Sequence, residues 1–329
     1  MARGAYIFAP KGLKLSPFEK GFFKDSDPWG FILFARNIDN PEQLRTLTTE
    51  LRQTVGWRAP ILIDQEGGRV QRMRAPHWRE HLPALDQMQK AKEPMKAQWL
   101  RNRLIAAELR QVGIDVNCAP LADLLEDSTH PVLANRLYGS DVETVVEAAK
   151  VCAEAFKSCG VLPVLKHIPG YGRAKVDSHE ELPRVDAPLS ALTRRDFRAF
   201  EALKTLPLGM TAHVVYEAID PKHPATTSPK VLNMIRKDIG FDGLIMTDDI
   251  SMGALSGTIG ERSAASIAAG CDVVLHCNGV AAEMKAVAKS AGRMSMHAQV
   301  RADVALMARQ EPSPIDISAC AAELEALLA

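Results

Sequence analysis

Short apolar segments alternate with longer amphipathic segments along the whole chain. The apolar segments are nearly continuous and do not alternate with polar residues, which is typical of strands covered on both faces. We predict eight strands, at residues 5–8, 30–35, 60–64, 114–118, 162–166, 208–213, 243–247 and 272–276. The amphipathic segments predict helices at residues 40–54, 94–112, 141–159, 189–204, 228–239 and 261–269. This order of strands and helices indicates parallel βαβ units.

The helix at residues 228–239 has the clearest ends, because Ser228 suits the N-cap, Pro229 suits the first turn and Gly240 suits the stop. Eight strand and helix units without a linker predict an α/β fold, namely a single (β/α)8 TIM-type barrel that takes up the whole 329-residue chain as one domain. Residues 295–329 are expected to form a helical tail packed on the barrel. A doubly wound open sheet is the alternative architecture.

The composition argues for a small-molecule partner. The chain has 40 basic and 40 acidic residues and a hydrophobic fraction of 47%, as soluble globular proteins do. Without net charge or long single-sign runs, we expect neither a nucleic-acid nor a membrane partner. The N-terminus lacks the apolar core of a secretory signal, and no stretch approaches the roughly 20 apolar residues that span a bilayer, so we expect a cytoplasmic protein. The six cysteines lack CxxC spacing and are predicted to be reduced structural thiols.

Polar and titratable residues stand at the carboxyl ends of most predicted strands. In a barrel these ends surround one mouth, where active sites are built. The residues are Asp64, Gln65, Glu66, Asn117, Asp123, Lys166, His167, His213, Asp248, Asp249, His276 and Asn278. Adjacent residues of an extended chain point to opposite sides, so we expect Asp248 to face the mouth and Asp249 to cap a helix or orient its neighbour.

A long loop follows the fifth predicted strand. Its sequence, "IPGYGRAKVDSHEELP" at residues 168–183, has proline, glycine and no apolar periodicity. Asp177 and His179 are two residues apart, which in an extended segment brings both side chains to one side. A carboxylate beside an imidazole stabilises the protonated ring and fixes its orientation. The pair is therefore a candidate general acid and base.

Three other interpretations of this region remain open on these residues alone. A metal site would use Asp177, His179 and either Glu180 or Glu181, although the HExxH and HxH spacings are absent. A Schiff-base enzyme would use Lys166, since a desolvated lysine at a strand end becomes a nucleophile. A solvated loop without function would explain the glutamates but not the lysine and histidine on the preceding strand.

The segment "LIDQEGGRVQRM" at residues 62–73 follows the third strand. Its two adjacent glycines lack the spacing of Walker and dinucleotide motifs. An alternative is hydrogen bonding to a polyol, in which Asp64 accepts from vicinal hydroxyls and Arg72 donates to an oxygen. Arg136, in "NRLYG", belongs to a second loop, where an arginine is usually only a surface residue.

Together the motifs resemble family 3 glycoside hydrolases, specifically the single-domain β-N-acetylglucosaminidases of peptidoglycan recycling in Gram-negative bacteria. The resemblance covers residues 5–290 and is carried, in order, by "IDQEGGRVQR", "NCAPLADL", "NRLYG", "LKHIPGYG" with "VDSHEELP", "MTAHVVYEAID", "FDGLIMTDDISM" and "AGCDVVLHCN". The chain departs from the family pattern at Ile168, where an aromatic residue is usual, and at Tyr171, where "GYG" replaces "GHG". These departures bear on the mobility of the loop and on substrate preference.

The resemblance implies retaining hydrolysis of the β-1,4 bond between N-acetylglucosamine and 1,6-anhydro-N-acetylmuramic acid, with or without peptide, through a covalent glycosyl-aspartate. Asp248 matches the nucleophile, His179 the acid and base, and Asp177 its partner. The positions that match sugar ligands are Asp64, Arg72, Arg136, Lys166 and His167. Lys166 would then donate hydrogen bonds and not form an imine. The resemblance also implies no metal and no cofactor, and we expect a monomer; a non-catalytic sugar-binding protein is the other alternative.

Overall fold

A closed barrel of eight parallel strands forms the centre of the protein in the computed structural model, which describes residues 2–329. The strands are β1 (Gly4–Phe8), β2 (Pro28–Leu33), β3 (Ile61–Ile63), β4 (Val116–Asn117), β5 (Leu162–Ile168), β6 (Leu208–Thr211), β7 (Leu244–Asp249) and β8 (Val273–His276). Each strand pairs in parallel with the next, and β8 pairs with β1. The predicted α/β barrel is confirmed, and the open sheet is wrong.

All eight predicted strands are present, with ends displaced by a few residues. Every residue of β1, β2 and β5 is buried, which explains why β1 and β2 carry no charged residue and why β5 is apolar as far as Leu165. Two of these differences bear on the carboxyl ends of the strands: β5 and β7 continue two residues beyond their predicted ends. Lys166 and His167 therefore lie within β5, and Asp248 lies within β7. Their backbones are held by the barrel and not by loops.

Helices surround the strands. They are α1 (Pro17–Ser26), α2 (Pro41–Val55), α3 (Ala84–Lys90), α4 (Pro94–Gln111), α5 (Pro131–Ala134), α6 (Val142–Ser158), α7 (Leu189–Arg194), α8 (Asp196–Glu201), α9 (Pro229–Met234), α10 (Ile259–Ala269), α11 (Ala281–Ala291), α12 (Met296–Met307) and α13 (Ile317–Leu328). All six predicted helices form. The sequence prediction did not include α1, α3, α5 and α11.

Two predicted helices differ in detail from the expectation. The helix predicted at residues 189–204 is divided at Arg195, whose backbone leaves the helical region. At residues 228–239, the Ser228 side chain accepts from the Val231 N–H, and Gly240 ends the helix with φ of 76°. The last turn, Ile235–Ile239, is a π-helix. The predicted start and stop are confirmed, but the helix is not α-helical throughout.

The last two helices pack against the outside of the barrel and its surrounding helices. Ala298, Ala302 and Ala305 of α12 belong to the main hydrophobic core. Cys320, Leu324 and Leu327 of α13 pack with residues of α4 in a smaller apolar cluster. All six cysteines are unpaired, and Cys277 alone among them is not fully buried, as expected for structural thiols. Within residues 2–329, no helix is both long enough and apolar enough to cross a bilayer.

Candidate active site

A cavity of about 230 Å³ opens at the carboxyl ends of the strands. Parallel strands bring these ends to one rim, so residues far apart in the sequence meet there. The cavity is lined by all eight residues that the resemblance assigned to catalysis or sugar binding, namely Asp64, Arg72, Arg136, Lys166, His167, Asp177, His179 and Asp248. The predicted convergence on one mouth is therefore observed for these residues.

Lys166 is the centre of a buried cluster of charges at the base of the cavity. Its Nζ atom lies 3.0 Å from Oδ1 of Asp64 and 2.5 Å from Oε1 of Glu66. Arg72 donates to Oδ2 of Asp64 at 3.3 Å. Arg136 makes a bidentate pair with Glu66, at 2.9 Å and 2.8 Å. Three cations thus share two carboxylates, and each ion has at least one partner of opposite charge.

The charges in this cluster hold one another ionised. Burial opposes the charged form of Lys166, but Glu66 and Asp64 together raise its pKa above the usual range. Burial likewise opposes ionisation of Asp64, but Lys166 and Arg72 lower its pKa below the usual range. Lys166 is therefore an ammonium ion at neutral pH. This contradicts the Schiff-base interpretation, which requires a free amine.

The segment after β3 positions two members of the cluster. Residues Gln65–Gly67 and Val70–Gln71 form a short antiparallel pair. The Gln65 side chain accepts from the Arg72 N–H at 2.9 Å, and this bond returns the chain to the cavity at Arg72. Asn117 bonds both backbone groups of Gln65, at 3.0 Å each. Asn117 does not line the cavity, so its role is to support the segment.

His167 is oriented by a buried carboxylate. Asp123 accepts from Nδ1 of His167 at 2.8 Å, from the His167 backbone N–H at 3.2 Å and from the Tyr171 N–H at 2.6 Å. The Nδ1 atom of the ring is thereby occupied, and Nε2 remains for a ligand in the cavity. Asp123, like Asn117, acts behind the residues that line the cavity.

Asp177 and His179 do form the predicted pair. Oδ1 of Asp177 lies 2.7 Å from Nδ1 of His179 and accepts from the His179 backbone N–H at 3.0 Å. The predicted reason is wrong, because the segment is a turn and not extended chain. The N–H groups of Glu180 and Glu181 both donate to the Asp177 carbonyl, at 3.0 Å and 2.9 Å. An aspartate that accepts from the residue two positions later is a common turn, and it gives the same contact.

Asp248 and Asp249 differ in what holds them. Asp249 accepts from the Ser251 N–H and hydroxyl and from the Cys277 N–H, so its carboxylate ties two loops together. Oδ1 of Asp248 accepts only from the next backbone N–H, at 2.8 Å. Both residues line the cavity, which the predicted opposite orientation did not anticipate. The register between β7 and β8 shifts after Met246, which alters the simple alternation of sides.

His213 lies beside these aspartates. Its Nε2 atom is 3.0 Å from the Asp249 carbonyl oxygen, and its Nδ1 atom is 2.7 Å from the Thr226 hydroxyl. Burial lowers the pKa of His213, although the neighbouring aspartates oppose this effect. The neutral ring therefore donates through Nε2 and accepts through Nδ1, which fixes the backbone at the end of β7.

Some residues of the site were not found from the sequence, and six of the twelve residues expected at the mouth do not line the cavity, namely Gln65, Glu66, Asn117, Asp123, His276 and Asn278. Glu66 carried no assigned role, although its position two residues after Asp64 could have indicated it. Phe34 lines the cavity and stacks on the Arg72 guanidinium at 5.4 Å. His276 and Asn278, expected at the mouth, both contact Glu283 at 2.9 Å and 2.5 Å and do not line the cavity. Within residues 2–329, no three His, Cys, Asp or Glu side chains are arranged to hold a metal ion.

Comparison with known proteins identifies the family. The model of the glycosyl hydrolase family 3 N terminal domain matches residues 19–309. The beta-hexosaminidase of Alkalilimnicola ehrlichii is 38% identical over 288 residues, which cover 84% of this chain and 82% of that protein. The beta-hexosaminidase of Methylococcus capsulatus is 36% identical over 279 residues, covering 83% and 82%. NagZ from Neisseria gonorrhoeae, solved with N-trifluoroacetyl-D-glucosamine, has a TM-score of 0.88 at 29% identity and covers 100% of this chain and 99% of that one. The resemblance seen in the motifs is thus confirmed, and the chain belongs to glycosyl hydrolase family 3 and is a glycoside hydrolase.

Proposed function

We propose that this protein is a retaining exo-β-N-acetylglucosaminidase. Its substrate is the β-1,4 linkage between N-acetylglucosamine and 1,6-anhydro-N-acetylmuramic acid, with or without peptide. The name beta-hexosaminidase borne by relatives and the amino-sugar analogue in the Neisseria structure support an N-acetylhexosamine substrate. The observation that carries the proposal is that Asp248, the Asp177–His179 pair and four members of the Lys166 cluster, namely Lys166, Asp64, Arg72 and Arg136, line the same cavity.

The Lys166 cluster holds the terminal sugar. An ammonium group has three donors, and the contacts of Lys166 with Asp64 and Glu66 use two of them. The third donor is available for a sugar hydroxyl. Each oxygen of Asp64 accepts one hydrogen bond from a cation and can accept another from a vicinal hydroxyl. Arg72, Arg136 and Nε2 of His167 provide further contacts to the sugar.

Asp248 and His179 carry the chemistry. In the first step Asp248 attacks the anomeric carbon while the protonated His179 ring donates its proton to the glycosidic oxygen, so that the aglycone leaves and a glycosyl-aspartate forms. In the second step the neutral ring takes a proton from water, and the water oxygen displaces the carboxylate. Two inversions give retention of configuration. Asp177 occupies Nδ1 of His179, so Nε2 is the atom that exchanges the proton.

The aglycone leaves through the side of the cavity bounded by His179. The His179 side chain is 65% exposed, so a bulky acceptor sugar and its peptide meet solvent there and not a wall of protein. A neutral imidazole as base also repels an anionic aglycone less than a second carboxylate does. We further propose that the chain acts as one catalytic domain, as a monomer, in the cytoplasm, in the recycling of peptidoglycan.

Covalent trapping tests the nucleophile. A fluorinated N-acetylglucosaminide that deglycosylates slowly should add one glycosyl group to the protein, and peptide mapping should find it on Asp248. Asp248→Asn should abolish turnover of an aryl N-acetylglucosaminide while N-acetylglucosamine still binds. Asp242→Asn is the matched control, because the Asp242 side chain is 90% exposed. Wild-type rates in Asp248→Asn would remove this residue as nucleophile.

The products test the reaction as a whole. N-acetylglucosaminyl-1,6-anhydro-N-acetylmuramic acid, with and without peptide, is incubated with the enzyme and followed by NMR. The first product should be β-N-acetylglucosamine, which then mutarotates. Parallel reactions with and without phosphate distinguish water from phosphate as the acceptor, since phosphate would yield the glycosyl phosphate. An α-configured first product would contradict retention.

A further inference from the structure

The loop that carries His179, here the His179 loop (residues 172–183), does not itself hold the ring over the cavity. Within residues 2–329, the only side chain bonded to the His179 ring is Asp177, which belongs to the same loop. The His179 side chain is 65% exposed, so little protein surrounds it. The position of this ring relative to Asp248 therefore depends on whatever anchors the loop as a whole.

Tyr171 is the first anchor. Its hydroxyl donates to the Val176 carbonyl at 3.1 Å and accepts from the Ser178 N–H at 2.9 Å. Its own N–H donates to Asp123, and its ring meets the edge of His167 at 5.6 Å. The side chain is 5% exposed. One buried tyrosine thus joins the sugar-binding end of β5 to the turn that contains Asp177 and His179.

The segment after β7 is the second anchor. The Gly253 N–H donates to the His179 carbonyl at 3.1 Å, and the Ala254 N–H donates to the Ser178 carbonyl at 3.2 Å. A Cβ atom on Gly253 would lie 2.7 Å from the His179 oxygen and 3.0 Å from the Glu180 oxygen. The absence of a side chain at Gly253 is what allows the His179 loop to approach. The same strand end provides Asp248, so the two catalytic groups share one support.

We propose that the Tyr171 hydroxyl and Gly253 are positioning elements that hold the His179 loop in place at the cavity, from its two sides. Tyr171 bonds the turn from the β5 side, and the backbone of Gly253 bonds it from the β7 side. Neither residue exchanges a proton with the substrate. The proposal rests on the role of His179 in the proposed function, and it assigns to Tyr171 the task of keeping that ring within reach of the glycosidic oxygen.

The first test removes the hydroxyl alone. Tyr171→Phe should increase amide hydrogen exchange about tenfold in peptides from residues 172–182, because two hydrogen bonds that close the loop are lost. Its kcat/KM should fall about tenfold for the disaccharide and less than about threefold for an aryl glycoside with an activated leaving group, because only the former needs a proton. Tyr6→Phe is the control: Tyr6 is 3% exposed and its hydroxyl donates to the Ser26 carbonyl at 2.6 Å, outside the cavity lining.

The second test adds a methyl group at Gly253, on the β7 side of the His179 loop, where it should displace the loop. Gly253→Ala should raise exchange in the same peptides and should lower kcat/KM with the same dependence on the leaving group. Gly12→Ala is the matched control, because a Cβ atom there meets nothing within 4 Å. This variant keeps the proposal testable if Tyr171→Phe folds poorly.

The outcomes separate this proposal from the proposed function. Unchanged exchange in both variants would overturn the anchoring of the loop. Faster exchange with an unchanged ratio of the two kcat/KM values would overturn the positioning role. Failure of the proposed function would appear elsewhere, as absence of wild-type turnover or as equal slowing of both substrates in His179→Ala, while the exchange measurement would still report on the anchoring.

Discussion

One oxygen of Asp177, Oδ1, accepts two hydrogen bonds from His179, one from the backbone N–H at 3.0 Å and one from ring Nδ1 at 2.7 Å. The first bond shapes the turn and the second orients the ring. Burial opposes ionisation of Asp177, but these hydrogen bonds lower its pKa below the usual value. The carboxylate is therefore charged at neutral pH and contacts the His179 ring at Nδ1.

Asp177→Asn should separate these two effects. The amide oxygen can still accept both bonds, but the negative charge that stabilises the imidazolium is lost. We expect kcat/KM for the disaccharide to fall by about 10²-fold, and that for an activated aryl glycoside to fall much less, within the range of general acid catalysis. Thermal unfolding should stay close to wild type, because the amide oxygen keeps both bonds and the His179 side chain is 65% exposed. An equal loss for both substrates would contradict the role of Asp177 as partner of the acid.

Lys166→Met should destabilise the fold as well as the substrate complex. The methionine fills similar space but leaves Asp64 and Glu66 without the cation that both contact. Removal of one partner of a buried ion pair costs about 3–5 kcal/mol, which urea unfolding can measure. The control is Lys96→Met, which breaks a pair of half-exposed side chains and should cost far less, because solvent screens such a pair. Similar values for the two variants would show that the buried cluster contributes little.

Asp123→Asn should weaken binding of the sugar although residue 123 does not line the cavity. Asp123 accepts hydrogen bonds from the backbone N–H and ring Nδ1 of His167 and from the Tyr171 N–H. The NH2 group of an asparagine cannot accept a hydrogen bond, so at least one of these three bonds would be lost. We expect the inhibition constant of N-acetylglucosamine to rise about tenfold or more, equivalent to the roughly 1.5–3 kcal/mol of a charged hydrogen bond. Inhibition by the free sugar measures this directly. An unchanged constant would mean that the orientation of His167 is set by other contacts.

His81 makes the protein sensitive to acid. Burial, with Arg101 and Arg79 adding to it, lowers the pKa of His81 to about 3, whereas an unfolded histidine has a pKa near 6.5. Between these two pKa values the unfolded chain binds a proton at His81 and the folded chain does not. The free energy of unfolding therefore decreases as the pH falls from about 6.5 toward 3.

His81→Leu should remove this dependence. Lowering the pH from 7 to 4 should destabilise the wild type by about 3 kcal/mol more than it destabilises the variant, measured as the free energy of unfolding. Urea unfolding at the two pH values measures the shift. His77→Leu, at an exposed histidine, is the control and should show almost no shift. A pH-independent difference for His81→Leu would show that the pKa of His81 is the same in the folded and the unfolded chain.

The sequence predicted the barrel well because its information is local. A strand buried on both faces must be apolar along its whole length, and each of the eight strands could be seen as a separate run. The helix that begins at Ser228 was equally clear, because a cap, a proline and a terminal glycine act within a few residues. The polar residues that interrupt these runs at strand ends indicated where the chemistry lies.

Long-range contacts were less accessible. Lys166 and Asp64 are 102 positions apart, and the bidentate pair of Glu66 and Arg136 spans 70 positions. No local pattern states which cation meets which carboxylate, because closure of the barrel brings them together. The Asp177–His179 contact was predicted for the wrong reason, since two local geometries, an extended segment and a turn, give the same proximity.

By itself, the sequence determined the class of fold, the order of strands and helices and the types of side chain at the mouth, since each depends on propensity and burial over a few residues. Only the tertiary structure decided which of those side chains are ionised, which are supports, and how the His179 loop is seated between Tyr171 and Gly253. Those properties depend on distances and on burial among residues from different strands. Both are created when the barrel closes.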